Sequence, residues 1–201
     1  ESALWVDVVS IMKQSGYNPF GPQTGAEIVN PGPRTADGML LEAQDEAESQ
    51  KTLDLIMQMC NELVGDGMES PADNLRNTWH EDMLWFGPSG IGATFTIERY
   101  EQQHQGPFNA GLKNIEFYGH ILEHAEGNYG GWFGWPNLRM QQGEGFLGLP
   151  ASDKRAEMRV VDIYRRDGDK LAENWIFIDF LHYLKLLDLD VLQRYAELNP
   201  E

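Results

Sequence analysis

Cysteine is nearly absent from this chain: Cys60 is the only one in 201 residues. A single cysteine excludes an internal disulfide, and with it the small secreted folds that depend on such bridges. Cys60 falls among apolar residues at helical spacing, which indicates a buried thiol and not a nucleophile. The core must therefore form by packing alone, and 41% hydrophobic residues are enough for one good core.

Basic side chains are also scarce. The chain has 15 Lys and Arg against 32 Asp and Glu, a formal net charge of −17 at pH 7. Nucleic-acid binding needs clustered cations, so the composition argues against such a partner, and anionic membrane surfaces are disfavoured for the same reason. No apolar run is long enough to span a membrane, and no cleavable signal pattern is found. We expect a cytoplasmic enzyme or binding protein.

Residues 1–45 differ from the rest of the chain. Proline and glycine clusters occupy residues 18–22 and 30–33, which indicates an extended linker and not a helix or a strand. The length of the chain favours one domain plus an appendage. We therefore divide the chain after residue 45 and expect the main domain over residues 46–201.

A short repeat relates the two ends of the chain. Asp7 and Lys13 have the same spacing as Asp179 and Lys185, and mostly apolar residues lie between the members of each pair. We predict that the N-terminal residues are the tail of an upstream repeat of the same kind of domain, followed by the Pro/Gly-rich linker. A coincidental amphipathic helix is the alternative.

The hydrophobic period changes along the main domain. Apolar residues recur at helical spacing over residues 53–64, Pro71 and Thr96 each begin a further helix, and a period of two follows. The predicted strands are 114–124, an irregular segment over 128–142, 157–166 and 171–179. This pattern predicts an α+β fold, a cone-shaped, mainly antiparallel sheet curved around the N-terminal helices, with a conical pocket for a small molecule.

Asp179 is the first candidate for chemistry. It ends a strongly apolar strand, and strand alternation places it on the same face as Trp175 and Phe177. A carboxylate among aromatic rings is costly unless it is paired or its raised pKa serves catalysis. Two interpretations stay open: an N-cap of the helix that follows, or a catalytic acid/base that faces an aromatic pocket.

Several motifs together resemble one family. They are residues 79–88, residues 90–92, His104, residues 107–108, Arg165 with residues 167–168, residues 173–175, and Asp179. In order and spacing, residues 46–196 are similar to the SnoaL-like polyketide cyclases, whose fold is the nuclear-transport-factor-2-like (NTF2-like) cone.

The resemblance implies a cofactor-free cyclase that closes a ring by intramolecular aldol chemistry. It assigns the catalytic acid/base role to Asp179. A conjugated polyketone would delocalise its own enolate, so neither a metal nor a Schiff base is needed. The family also uses a histidine on the preceding strand, and residues 158–165 contain none. That departure leaves His80 or His104 as the histidine that could assist Asp179. It weakens the assignment to polyketide cyclisation more than the assignment of the fold.

The remaining candidates would form the substrate pocket. We expect a small apolar or aromatic, polyketide-like ligand and a homodimer. Related isomerase or hydrolase chemistry is compatible with the same site, and the alternative is a non-catalytic binding module in which Asp179 only caps its helix. The predicted substrate-binding residues are Trp85, Tyr100, Trp132, Arg165, Trp175 and Phe177.

Glu116, His120 and His124 suggest a metal site at first sight. The segment that contains them alternates, however, because Ile115, Phe117 and Ile121 occupy the opposite face. Strand positions four apart are separated by about 13 Å. Two such histidines cannot share a zinc ion with bonds of about 2 Å, so we predict no metal site here.

Overall fold

A computed structural model describes residues 4–65 and 72–198 of the chain. No helix among these residues has both the length and the apolar character needed to cross a membrane. In chain order the elements are α1 Val8–Gln14, α2 Glu46–Gly65, α3 Ala72–Thr78, β1 Trp79–Phe86, β2 Ala93–Phe95, α4 Ile97–Tyr100, a π-helical turn Glu101–Gln105, α5 Gly106–Gly111, β3 Leu112–Phe117, β4 Leu122–Glu126, β5 Tyr129–Gln142, a 3-10 turn Phe146–Gly148, β6 Arg155–Asp167, β7 Lys170–Ile178, α6 Phe180–Leu186 and α7 Val191–Leu198.

The strands form one sheet in the order β2-β1-β7-β6-β5-β3, and β4 pairs with another part of β5. β1 pairs with β7 in parallel, whereas the other pairings are antiparallel. Helix α2 and the helical residues 97–111 face β6 and β7 across a shared cavity. The predicted α+β class and its mainly antiparallel sheet are confirmed.

The order of elements differs from the prediction in two places. β1 and β2 lie between α3 and α4, so helices and strands interleave where helices alone were expected. The strand predicted over residues 114–124 is interrupted at residues 118–121, where Gly119 has a φ of +93° that favours glycine. Pro71, the predicted start of the second helix, lies outside the described residues.

Alternation along β6 and β7 gives the sheet two chemically different faces. Asp162 and Tyr164 of β6 and Asn174 of β7 line the cavity, on what we call the inner face. Ile163 and Trp175, which alternate with them, line a groove beneath the N-terminal residues, on the outer face. The two faces therefore have different partners: helices on the inner face and residues 4–45 on the outer face.

The N-terminal residues run across the outer face. Trp5 packs on Phe133 with their ring centroids 5.7 Å apart. Further along, the indole N–H of Trp175 donates a hydrogen bond of 2.9 Å to the Pro31 carbonyl. These contacts hold the segment against the sheet, where it covers part of the outer face.

Two short helices begin in the same way. Asp7 precedes α1 and accepts a hydrogen bond from the Ser10 N–H at 2.9 Å, while Asp179 precedes α6 and accepts one from the His182 N–H at 3.0 Å. Each helix has seven residues and carries a lysine in its last turn. This likeness supports the sequence repeat, and the assignment of residues 1–45 to an upstream repeat stays a prediction.

Candidate active site

A cavity of about 100 Å³ lies between the inner face, helix α2 and residues 97–111. Most of its wall is apolar or aromatic, with a few polar groups, as is typical of a small-molecule site. Its lining residues are Met59, Cys60, Leu63, Val64, Leu75, Trp79, Trp85, Tyr100, His104, Gln105, Phe108, Phe117, His120, Trp132, Asn137, Leu138, Met158, Val160, Asp162, Tyr164, Asn174, Ile176 and Ile178.

Asp162 is the carboxyl group of this cavity. Its side chain is buried, with only 4% of the residue exposed. The Tyr164 hydroxyl donates a hydrogen bond of 2.6 Å to one carboxyl oxygen, and the Asn174 side-chain amide donates to the other. No Lys or Arg among the described residues lines the cavity. The carboxyl group is therefore held by neutral donors and not by a cation.

Burial sets the charge state of Asp162. Loss of water raises the pKa of its carboxyl group to about 7, while the hydrogen bonds from Tyr164 and Asn174 act in the opposite direction. Both the protonated and the deprotonated form are therefore accessible near neutral pH. A group in this state can both accept and donate a proton under physiological conditions.

Strand geometry explains how three polar side chains meet. Tyr164 and Asn174 are directly opposite each other in the β6–β7 ladder, and Asp162 lies two residues before Tyr164 on the same face. Opposite and diagonal positions on one face of a sheet lie within reach of long side chains. The site thus rests on two central strands, which fix it more firmly than a loop could.

His104 and Tyr100 belong to the opposite, helical wall. The His104 ring stacks on Trp85 with centroids 4.0 Å apart and an interplanar angle of 20°, and it meets Tyr100 edge-on at 5.2 Å. Burial lowers the pKa of His104 to about 3, so its imidazole is neutral at pH 7. It can accept or donate a hydrogen bond there but supplies no positive charge.

Four predicted site residues do lie on the cavity wall. Trp85, Tyr100, His104 and Trp132 all line it. The structure also adds His120, whose ring stacks on Trp132 at 4.3 Å and 14°. The predicted continuous strand over residues 114–124 gave His120 no place in the pocket. Since the chain turns at residues 118–121, the ring folds back over the cavity wall instead.

Glu116 and His120, two of the three residues weighed as metal ligands, have separate partners. Glu116 pairs with Arg155 at 2.8 Å, and His120 lies 3.0 Å from Glu123. Within residues 4–65 and 72–198, no group of three or more His, Cys, Asp or Glu side chains is arranged to hold a metal ion.

The predicted placement of Asp179 in the pocket is wrong. Asp179 is absent from the cavity wall and is the N-cap of α6. Its second carboxyl oxygen lies 3.6 Å from Nη1 of Arg159, and 30% of its side chain is exposed. The physical reason is the first of the two open interpretations: the carboxylate satisfies a free N–H at a helix start.

Three further placements are corrected for a related reason. Trp175 and Phe177 line the groove on the outer face, so they do not contact the cavity. Arg165 is buried on that same face in an ion pair with Glu173. The side chains of β7 alternate as predicted, but the set that faces the cavity is Asn174, Ile176 and Ile178.

His80 also lies away from the cavity. Its Nε2 is 2.9 Å from the carbonyl oxygen of Asp167, in the turn between β6 and β7. The side chain therefore joins the start of β1 to a neighbouring hairpin, and it cannot assist chemistry at Asp162.

A signal for Asp162 was present in the sequence. Met158, Val160, Asp162 and Tyr164 occupy one face of a predicted central strand, so an acidic residue stands in an otherwise apolar row. Charged residues are almost never fully buried without a reason. Asp162 is nevertheless not among the predicted site residues.

Comparison with known proteins bears on the fold. No protein-family model matches the sequence, and no curated protein matches it. A Jannaschia sp. CCS1 protein assigned to the SnoaL-like polyketide cyclases is 17% identical, with a TM-score of 0.58 over 73% of this chain and 97% of that chain. NTF2-like proteins from Burkholderia xenovorans LB400 and Burkholderia thailandensis E264 are each 13% identical, with TM-scores of 0.52 and 0.51.

The coverage of these neighbours is similar. The first Burkholderia structure covers 69% of this chain and 97% of its own, and the second covers 67% and 95%. Such low identities establish a shared fold and leave the reaction open. The chain has the α+β cone fold of the SnoaL-like and NTF2-like proteins.

Proposed function

We propose that this protein is an acid/base enzyme that moves a proton on a compact, uncharged, mainly apolar substrate, with Asp162 as the acid/base. One observation carries the proposal: a buried carboxyl group is aligned by two neutral donors on the wall of an aromatic cavity, and no Lys or Arg of the described residues lines that wall. This proposal moves the catalytic role from Asp179 to Asp162 and keeps the cofactor-free acid/base chemistry.

The chemistry follows from the two charge states. As a carboxylate, Asp162 removes a proton from a carbon next to a carbonyl group, which leaves an enolate. As a carboxylic acid, it returns that proton to a different carbon, and the net reaction is then an isomerisation. In an aldol closure it returns the proton to the alkoxide formed when the enolate carbon attacks a second carbonyl. Tyr164 and Asn174 are positioning residues, since they orient the carboxyl group.

Cavity size restricts the substrate. An apolar cavity of about 150 Å³ in another protein accommodates benzene. The present cavity of about 100 Å³ therefore suits a molecule of one small ring and not a fused-ring polyketide. A one-ring ketone or diketone is the substrate type that the proposal favours.

The alternative is a non-catalytic binding module with the same cavity. Its walls of Trp85 and Trp132 would hold a small apolar ligand whether or not a reaction follows. The two functions differ in what Asp162 does: an enzyme needs the carboxyl group to exchange protons with its ligand, whereas a binding module does not.

Two measurements test the proposal. The ¹³C carboxyl signal of Asp162, assigned by its loss in Asp162→Asn, should titrate near pH 7. The protein should also accelerate exchange of the α-hydrogens of cyclopentanone for deuterium in D₂O, followed by ¹H NMR. Asp162→Asn should lower that rate by about 10²- to 10⁴-fold, the usual contribution of a general base.

Asp179→Asn is the matched control, because it makes the same chemical change outside the cavity. It should leave the exchange rate unchanged. Equal rates in wild type and Asp162→Asn, or a carboxyl signal that titrates near pH 4, would contradict the enzyme and leave the binding module.

The homodimer and the cytoplasmic location stay predictions. The exposed apolar side chains of Val29, Met39 and Leu41, at 91%, 84% and 88% exposure, support a further protein contact. Light scattering coupled to size-exclusion chromatography would decide the oligomeric state.

A further inference from the structure

The helical wall of the cavity carries a buried amide that has no hydrogen-bond partner among the described residues. Gln105 is 94% buried, since only 6% of it is exposed, and it lines the cavity. Neither its Nε2 nor its Oε1 forms a hydrogen bond with any described residue, and the same holds for Nδ1 of His104. Burying an amide without a partner is unfavourable, so a polar group from outside the chain is expected at this position.

Another buried amide shows that the fold can satisfy such groups. Nε2 of Gln142 donates to the carbonyl oxygens of Gly143 and Phe146, each at 2.9 Å, and its Oε1 accepts from the Tyr183 hydroxyl at 2.6 Å. Gln142 is away from the cavity. The contrast sets Gln105 apart: the unsatisfied glutamine is the one at the cavity wall.

The backbone around Gln105 is also unusual. Gln105 ends the π-helical turn Glu101–Gln105, which separates α4 from α5. A π-helical turn adds one residue to a helix turn and frequently occurs at functional sites. Here the consecutive residues His104 and Gln105 both line the cavity.

We propose that Gln105 binds the oxygen of the substrate and thereby selects uncharged alcohols and ketones of one small ring. This ligand class rests on the proposed function, because it assigns the polar end of the same substrate. The amide can donate to a carbonyl oxygen and can both donate to and accept from a hydroxyl group. An alcohol should therefore bind more tightly than a ketone, and a ketone more tightly than the matching hydrocarbon.

Charge selection follows from the rest of the wall. His104 is neutral and no Lys or Arg of the described residues lines the cavity, so an anionic ligand finds no counter-charge. Asp162 on the opposite wall would also repel an anion once it is deprotonated. With its oxygen at Gln105, a ligand directs its ring across the cavity toward Asp162, where the proposed proton transfer occurs.

The test is a matched set of five-membered rings. Binding of cyclopentanol, cyclopentanone, methylcyclopentane and cyclopentanecarboxylate would be measured by ligand-observed NMR on wild type, Gln105→Met and Asp162→Asn. We expect the first two to bind wild type, with the carboxylate excluded. Gln105→Met, which retains the side-chain length, should weaken cyclopentanol binding by about three- to tenfold, the usual value of one lost hydrogen bond. Methylcyclopentane binding should not weaken.

Asp162→Asn separates this proposal from the proposed function. This variant should retain cyclopentanol binding. If it does, and if it also exchanges the hydrogens of cyclopentanone as fast as wild type, the acid/base role of Asp162 is contradicted while the role of Gln105 is not. Equal affinity of wild type for methylcyclopentane and cyclopentanol, unchanged cyclopentanol binding by Gln105→Met, or binding of none of the four compounds would overturn the role of Gln105. Gln105→Leu provides a second variant if Gln105→Met does not fold.

Discussion

The inner and outer faces of the β6–β7 pair each bury one carboxyl group, in different surroundings. Glu173, on the outer face, forms an ion pair with Arg165 and accepts a hydrogen bond of 3.0 Å from the Arg34 backbone N–H. Asp162, on the inner face, has Tyr164 and Asn174, both neutral, as its only side-chain donors in the described part of the chain. A buried acid beside a cation holds the structure together, whereas one without a cation retains a proton near neutral pH and is available for chemistry.

Removing the outer carboxylate should produce the largest loss of stability. Glu173→Gln leaves the Arg165 guanidinium buried without its main counter-charge, which should lower the free energy of unfolding by about 3–5 kcal/mol. Urea denaturation measures this change. Glu81→Gln breaks an exposed ion pair with Arg76 and should change little. Similar losses in the two variants would contradict the structural role of Glu173.

The inner carboxyl group should instead make stability depend on pH. Its pKa is about 7 in the folded protein against 3.8 as the ordinary value, so the folded state binds more protons between these two pH values. The stability it contributes is full below about pH 4 and is lost as pH rises through 7. At 1.36 kcal/mol per pKa unit, the free energy of unfolding should fall by up to about 4 kcal/mol over this range.

Asp162→Asn isolates this pH effect. The variant lacks the titrating group, so its stability relative to wild type should increase as pH rises from 4 to 8. Urea denaturation of both proteins across this range measures the difference. A constant difference would show that Asp162 titrates alike in the folded and unfolded states.

Removing one neutral donor should change the pKa of Asp162 in a known direction. The Tyr164 hydroxyl stabilises the carboxylate, so Tyr164→Phe should raise the pKa of Asp162, by about one unit for one hydrogen bond to a charged group. The ¹³C carboxyl titration measures the shift. Tyr183→Phe, which removes a hydroxyl bonded to Gln142, is the control and should leave it unchanged. A lowered pKa in Tyr164→Phe would contradict the role assigned to the hydroxyl group.

The smallest effects are expected at the two helix caps. Asp179→Ala should lower the free energy of unfolding by about 1 kcal/mol, as is usual for a lost N-cap. Asp7→Ala should cost more, because Oδ2 of Asp7 also accepts a hydrogen bond of 2.7 Å from the Ser89 N–H. Thermal unfolding of both variants tests this order. A larger loss in Asp179→Ala than in Asp7→Ala would contradict the added contribution of the Ser89 hydrogen bond.

Much of the fold could be predicted from local patterns. Spacing of apolar residues identified α2, and the change to a period of two identified β6 and β7. Capping chemistry indicated the start of α4 at Thr96, whose hydroxyl accepts a hydrogen bond from the Arg99 N–H. β1 was not among the strands predicted from the period of two. The pairing of β1 with β7 joins residues 89 to 92 positions apart in the chain, and local patterns carry no information on such distant pairs.

The candidate site could be predicted only in part. Trp85, Tyr100, His104 and Trp132 were identified, because aromatic residues on amphipathic segments usually turn inward. Gln105 gave no such signal, since a glutamine at the end of an amphipathic helix is normally exposed. Its burial depends on the π-helical turn and on the packing of residues 97–111 against the sheet.

By itself, the sequence determined the α+β class and the division of β7 into two sets of side chains, Asn174 with Ile176 and Trp175 with Phe177. Only the tertiary structure decided which set faces the cavity. Both sets are largely apolar, so hydrophobicity does not distinguish inside from outside. The choice came from distant elements: α2 and residues 97–111 close one face, while residues 4–45 cover part of the other. For that physical reason the carboxyl group on the cavity wall is that of Asp162 and not that of Asp179.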